Sequence, residues 1–398
     1  MRAVTMAFSA AFLASMYFRS YFSIVGPSLA RDLMLDPAEF GWLVSAFFAS
    51  FGVLQVPVGI AFDRWGVRWP TTLMMIVGAA GSALLACAHG FGSAAIGQTA
   101  IGIGCAPIFM GVLYFLGSAL PPDRAGNSAA IVSSVGSFGA LLSASPLSWF
   151  TATFGWRSAC WSAAGVMLAC AVAIALTVGE ATSRGPRPVA KRKNMRWPML
   201  MSYILPICFT LSLGGTFRNA WAGPYVTGVF GQNGNIGLIL SAVSLFGIAT
   251  SFLLPLMLLL ISARVLILAS FACGAICATL IAIAPDFSLV LATAALAFLY
   301  AIGNVHPLVM TEAQTLIPDH MRGVGLGALN TLVFLGVSAS SSAFGEIANM
   351  SLPPVVSYQF IFALTAIALT GALFAYVMFR PPTVGRTSEE TASKPTLE

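Results

Sequence analysis

The sequence predicts an all-α membrane protein of twelve transmembrane helices, built as two pseudo-symmetric six-helix bundles with both termini in the cytoplasm. Three observations predict it. First, 58% of the 398 residues are apolar and 8% charged, with a mean hydropathy of +0.89, whereas roughly a quarter of a soluble globule is charged. Second, apolar runs recur twelve times between turn and charge clusters, each close to the roughly 20 residues needed to cross a bilayer. Third, the nineteen Lys and Arg residues are segregated. Arg31 and Arg157 fall on one side, Arg19 and Arg218 inside spans, and the other fifteen on the side that holds the N-terminus. Loops rich in Lys and Arg stay cytoplasmic, which sets the orientation.

The spans run over about 4–29, 40–62, 70–89, 92–119, 126–151, 158–179, 198–228, 236–260, 264–284, 287–311, 323–348 and 355–379. The first continues past the length of a signal h-region without an A-x-A site, and reads as an uncleaved helix. Asp36-Pro37-Ala38-Glu39 opens the second, with the D-x-x-E spacing of a capping box and proline at the first helical position. Phe154-Gly155-Trp156-Arg157 precedes the sixth as an interfacial anchor. Residues 180–197 are polar, contain proline and carry six basic residues. They read as a linker along the anionic inner leaflet, dividing the chain into 1–179 and 198–380. The stretch 381–398 is small and polar and reads as a disordered tail.

The halves echo each other. Pro121-Pro122-Asp123-Arg124-Ala125-Gly126 corresponds to Pro318-Asp319-His320-Met321-Arg322-Gly323, and Phe18-Arg19 corresponds to Phe217-Arg218 at nearly the same offset. The seven cysteines are scattered through apolar runs without a CxxC pair, the pattern of small buried hydrophobes rather than disulfides or ligands. The net charge of +6 is explained by topology, so no nucleic-acid partner is expected.

Arg19 and Arg218 are the costly residues, since an arginine at a bilayer centre costs about 3 kcal/mol on insertion scales. Two guanidiniums converging in a low-dielectric cavity repel unless an anion sits between them. Each presents a planar donor fork matched to phosphate or carboxylate oxygens. The plainer alternative is that each snorkels or satisfies carbonyls at a helix break. Tyr21, Gln55, Asn219, Trp221, Tyr225, Asn304 and Asn330 are candidate cavity liners. His306 and Glu312 are candidate coupling groups, a histidine titrating near neutral pH. His306 and Met310, four residues apart on one helical face, would make half of a soft Cu(I) site. No nucleophile-base constellation, phosphate-cradling loop or metal cluster is present, so neither an enzyme nor a resident cofactor is expected. A drug or metabolite efflux carrier is a further alternative. An acidic residue deep in the first or fourth span would mark a drug or cation exporter, and there is none.

After the second span comes Gly59-Ile60-Ala61-Phe62-Asp63-Arg64-Trp65-Gly66-Val67-Arg68. This stretch resembles the signature loop of the major facilitator superfamily, G-x-x-x-D-R-x-G-x-R/K. The resemblance implies that superfamily's fold, transport by alternating access, and a releasable latch on the inner face formed by Asp63, Arg64, Gly66 and Arg68. In the second half only Arg264 of Ser262-Ala263-Arg264 matches. Gln98-Thr99-Ala100-Ile101-Gly102-Ile103-Gly104 is similar to the family's R-x-x-x-G-x-G, with glutamine in place of arginine. A copper-importing group of the superfamily is similar in using His-x-x-x-Met and Met-x-x-x-Met; Met195 and Met199 have the second spacing here.

Tyr17-Phe18-Arg19-Ser20-Tyr21-Phe22-Ser23-Ile24-Val25-Gly26-Pro27 looks like the first helix of the organophosphate and sugar-phosphate transporters. Phe217-Arg218-Asn219-Ala220-Trp221-Ala222-Gly223-Pro224-Tyr225 is similar to their seventh. Two departures stand out: Ser20 replaces a frequent lysine, and Arg218 lies about one turn closer to its tryptophan. The resemblance implies a monomeric secondary active transporter in a bacterial inner membrane. It would move an organophosphate, carboxylate or related oxyanion, coupled to protons or a counter-anion.

Overall fold

A computed structural model describes residues 2–119, 132, 134–179, 200–231, 235–317 and 322–379. The linker 180–197, the tail 381–398, Met195 and Met199, the Pro121–Gly126 loop and most of its Pro318–Gly323 counterpart lie outside the described residues. Among the described residues every regular element is helical. The ordinal names of the spans are kept below.

By length and composition, eight helices among the described residues qualify as membrane spans, or nine when the bent pair Pro37–Val53 and Gln55–Trp65 is taken as one. The apolar runs and the continuous helices differ because several runs are broken. The first is split at Tyr21 into Arg2–Ser20 and Phe22–Asp32. The seventh is interrupted by the π-helical turns Leu200–Ile204 and Phe217–Trp221. The fifth and sixth run together over Ser134–Thr177, with Gly155 non-helical at φ 81°, ψ 160°. The count of twelve crossings stays an expectation of the sequence. Apolar content sets where a run is, whereas a broken hydrogen-bond ladder decides whether it counts as one helix.

The φ, ψ pair of Gly155 belongs to a region that glycine alone occupies readily. A Cβ there would meet nothing within 4 Å, so the cost of adding one is backbone strain alone. Gly155→Ala is expected to destabilise the protein by about 1–3 kcal/mol. A thermal-unfolding midpoint in detergent equal to that of the parent protein would contradict this. Trp156 and Arg157, just beyond, are an anchor of a definite kind. Trp156 Nε1 and Arg157 Nη1 donate to Asp32 Oδ2 at 2.7 and 3.0 Å, tying the sixth span to the end of the first.

The capping box forms as expected. Glu39 N donates to Asp36 Oδ1 at 2.8 Å and Asp36 N to Glu39 Oε2 at 3.1 Å, with Pro37 in the first turn. Helices before residue 178 pack chiefly on one another, as do those after residue 200, and the second and eleventh spans form an extended seam between the two groups.

At the end away from Asp63 that seam is closed backbone to backbone. An added Cβ at Gly41 would stand 2.5 Å from the Ser341 carbonyl oxygen and 3.0 Å from Gly345 Cα. Ser45 Oγ meets Ser342 Oγ and donates to the Ser338 carbonyl, both at 2.6 Å. Gly223 lies against the Ser23 carbonyl and Gly237 against Ser145 and Ser148, while Ser145 and Ser241 hydroxyls are 2.8 Å apart. Small residues let helix backbones approach this closely. Phe252, Leu256, Leu259, Leu280, Ile367 and Phe374 are exposed on the outside, an apolar surface suited to lipid rather than water.

Candidate substrate site

Arg19 ends the helix Arg2–Ser20, immediately before the break at Tyr21. Its guanidinium lies over the Phe51 ring at 4.4 Å and the Phe334 ring at 5.1 Å. These rings pack edge to face across the seam, with centroids 4.4 Å apart. Arg19 is partly exposed, so water-sized space exists beside it halfway along the first span. Its Nε is buried and has no hydrogen-bond partner. Among the described residues the one ion pair is Arg157–Asp32, so no described carboxylate neutralises Arg19. The aromatic faces offset part of the desolvation of the charge, about 2 kcal/mol for a desolvated cation–π contact, but they accept no hydrogen bond.

One helical turn further along the same two spans is a polar layer. Gln55 follows Phe51 by four residues and Asn330 precedes Phe334 by four, so each pair shares a face of its span. Gln55 Nε2 donates to the Phe51 carbonyl at 3.0 Å, Asn330 Nδ2 to Gln55 Oε1 at 3.1 Å, and His306 Nε2 lies 3.2 Å from Asn330 Oδ1. This chain joins the second, eleventh and tenth spans. Both its ends sit at helix breaks: the second span bends by 40° at Leu54, and the 3₁₀ turn Ile302–Val305 precedes His306. Such turns inside a span often mark hinges.

Arg218 is more enclosed, at 1% exposure, within the π-helical turn Phe217–Trp221. Its Nε donates to Ser244 Oγ at 2.7 Å, and its Nη2 to the Ala140 carbonyl at 2.5 Å and Ser143 Oγ at 3.3 Å. Nη1 is buried without a partner. Arg218 thus ties the seventh span to the fifth and eighth, while Arg19 rests on the second and eleventh. The two guanidiniums have separate contacts. Around them Ser20 Oγ donates to Asn219 Oδ1 at 2.9 Å, Ser23 Oγ to the Arg218 carbonyl at 2.5 Å, and Trp221 Nε1 to Ser341 Oγ at 2.8 Å.

Other residues singled out in the sequence are engaged elsewhere. Tyr21 donates to Gln98 Oε1 at 3.3 Å, joining the first and fourth spans. Tyr225 donates to the Pro285 carbonyl at 2.5 Å. Asn304 binds Thr250 Oγ1, the Gly247 carbonyl and Ser251 Oγ of the eighth span. Glu312 accepts from Tyr203 and Tyr376, whose rings stack 4.8 Å apart. Met310 packs against the apolar core. An apolar cleft of 270 Å³ between the first, fifth and sixth spans is lined by Leu13, Tyr17, Leu142, Pro146 and Phe150 among others. It has no charged lining residue and is not a place for an anion.

In the signature loop Gly66 has φ 69° and ends the helix Gln55–Trp65, a conformation that favours glycine. Asp63 is exposed and accepts from Tyr114 at 3.2 Å, Arg64 is exposed, and Arg68 stacks over Trp69 at 5.0 Å. Phe51, Phe334, Ser244, Ala140 and Ser143 escaped the sequence reading. Two Phe among 29 carry no distinguishing signal, and a backbone carbonyl has none at all.

A family model described as Major Facilitator Superfamily matches residues 7–341. A Bacillus subtilis protein named "Probable galactarate/D-glucarate transporter" is 30% identical over 160 residues, 38% of this chain and 35% of its own length. The hexuronate transporter of the same species is 25% identical over 139 residues, 35% of this chain and 33% of its own length. The matched stretch thus spans about a third of these curated relatives. Among solved structures, the inward-open xylose transporter of E. coli superposes with a TM-score of 0.74 at 15% identity, covering 98% of both chains. An inward-facing, occupied bacterial homologue of the human lysosomal transporter Spinster gives 0.72 at 15% identity, covering 94% of this chain and 96% of that one. With its helices, broken spans and signature loop in place, the chain belongs to the Major Facilitator Superfamily and is a multi-pass membrane protein.

Proposed function

We propose that this protein moves a small organic anion across the bacterial inner membrane by alternating access, and that the anion is a sugar acid whose carboxylate is held by Arg19. One observation carries the reading: an arginine of intermediate burial midway along a span, with a buried unpartnered Nε and no described carboxylate beside it. A carboxylate supplies the acceptors that the two phenyl faces cannot, and it cancels the charge where screening is weakest. Relatives named for galactarate, glucarate and hexuronate support a carboxylate over a phosphate ester. In this reading the halves 1–179 and 198–380 rock about the site. Both termini are cytoplasmic, the Asp63 loop gates the inner face, and Arg218 braces the opposite side by holding the fifth span.

The test is uptake of labelled D-glucuronate into proteoliposomes holding the purified protein, with D-glucarate and glycerol 3-phosphate as competitors. Accumulation above empty vesicles, competed best by the sugar acid, supports the reading. Competition by the phosphate ester alone moves the substrate to organophosphates, and no saturable uptake of either removes the anion site.

A further inference from the structure

We propose that the apolar cleft between the first, fifth and sixth spans is a binding site for one acyl chain of a membrane phospholipid. The proposal does not depend on what the protein carries. Each span lends the cleft residues four apart, Leu13 and Tyr17, Leu142 and Pro146, Ser162 and Val166. The groove therefore runs along the spans rather than across them. Its rim faces outward, with Leu142, Pro146, Ser162 and Val166 exposed. Its floor is buried and kept low by two small residues, Ala14 and Ala163, beside Phe18. No charged side chain lines it, and the Ser162 hydroxyl donates to the Ala159 carbonyl at 2.9 Å.

A close contact and a helix break together give the cleft its shape. Gly139 brings the fifth span against the Leu13 carbonyl and the Tyr17 nitrogen of the first. One turn further on, Ser143 and Ala144 leave the helix and Pro146 stands in the first turn of the next segment. Pro146 has no N–H to return to the Leu142 carbonyl, and Ala144 N donates to the Leu141 carbonyl at 3.1 Å instead of to that of Ala140. The two spans part beyond Gly139, and the cleft is the gap. On its inner face the same break leaves the Ala140 carbonyl open, and Arg218 Nη2 takes it. A chain in the cleft thus fills the space behind the segment that Arg218 holds.

Depth selects the occupant. At one end of the cleft Phe150 packs on Phe154 with ring centroids 5.0 Å apart, and Phe154 meets Trp149 at 6.2 Å. Trp149 and Phe154 are exposed, as in the aromatic belt of a membrane–water interface. At the other end Tyr17 and Phe18 stand midway along the first span. From Leu142 to Phe150 the groove covers about 12 Å, at about 1.5 Å of rise per residue, against about 15 Å for the hydrocarbon of one leaflet. Its 270 Å³ hold roughly nine groups of water size at about 30 Å³ each, the bulk of a single chain. Water does not fill an apolar cavity, and a rim open to lipid admits hydrocarbon. Lipid tails are as apolar as the lining, so packing rather than the hydrophobic effect retains the chain. Walls from three spans give it dispersion contacts that a flat helix face does not offer.

The experiment uses the full chain reconstituted in phosphatidylcholine bilayers with a small fraction of phosphatidylcholine carrying a diazirine midway along one acyl chain. After illumination, adducts are mapped by peptide mass spectrometry. They are expected at 13–18, 142–150 and 162–166. Enrichment over the outward residues Phe252, Leu256 and Leu259 of the eighth span should be about fivefold or more, the ratio that about 1 kcal/mol of preference gives. Ala163→Leu and Ala14→Leu fill the floor from two different spans. Each is expected to bring cleft labelling down to the eighth-span level while labelling of the eighth span, a check on folding, stays the same. Equal labelling of cleft and eighth span in the parent protein overturns the proposal, since the chain is then annular lipid only. Cleft labelling undiminished in either variant overturns it as well. So does a cleft that stays unlabelled while the eighth span reacts, the result if a second copy of the protein covers it.

Discussion

Arg19→Gln is expected to weaken D-glucuronate binding by about two to three orders of magnitude and to reduce uptake to the level of empty vesicles, with the protein still inserted and folded. Truncating one member of a desolvated, hydrogen-bonded charge pair costs about 2–5 kcal/mol, about 1.5 to 3.5 orders of magnitude, which brackets that figure. Folding should survive because Arg19 makes cation–π contacts to Phe51 and Phe334 and no ion pair with a described residue. Its buried Nε already lacks a partner, so removing the charge also removes an uncompensated cost. The ligand-free melting temperature should therefore be unchanged or higher, while the stabilisation by glucuronate, which follows from binding to the folded state alone, disappears. Arg19→Lys should fall in between, because an ammonium keeps the charge without the planar fork. Uptake by Arg19→Gln at the parent rate would show that the anion binds elsewhere.

Gly41→Ala is expected to lower uptake by about 5- to 150-fold while leaving glucuronate binding in place. The seam at this end is closed by main chain on both sides. The new Cβ would lie 2.5 Å from the Ser341 carbonyl oxygen, and the facing residue is itself glycine, with Gly345 Cα 3.0 Å away. No flexible side chain can move aside, so the two spans must separate and the closed arrangement loses about 1–3 kcal/mol. For a carrier that alternates between two closures, that shifts the population by about 5- to 150-fold away from one of them. Ser45→Ala, in the same seam, removes hydrogen bonds to Ser338 and Ser342 without adding volume. It should therefore slow transport less. Gly41→Ala with parental uptake would mean that this closure does not take part in turnover.

Composition, apolar periodicity and the spacing of Gly59–Arg68 were enough to read a multi-pass transporter of this superfamily. The reason is physical: membrane residence demands an apolar residue at nearly every position of a span, and a charged, glycine-ended turn is a contiguous signal. The same holds for the Asp36 capping box, whose partners are three residues apart, and for Arg19, whose cost in an apolar run is visible before any neighbour is known. Which residues Arg19 meets was not legible. Phe51 and Phe334 reach it from spans far apart in the chain, and Gln55, Asn330 and His306 join only because two spans are rotated to face one another. Tyr21, Tyr225 and Asn304 looked equivalent to Gln55 as polar groups in apolar runs, yet each turns to a different seam. Arg218 looked like the twin of Arg19, yet the fifth span's Ala140 carbonyl and the eighth span's Ser244 hold it. The sequence by itself determined the kind of molecule and the residue whose charge needs an answer. Only the tertiary structure decided the company that charge keeps, because helix rotation and the breaks at Tyr21, Leu54, Phe217–Trp221 and Ile302–Val305 are set by packing between distant spans.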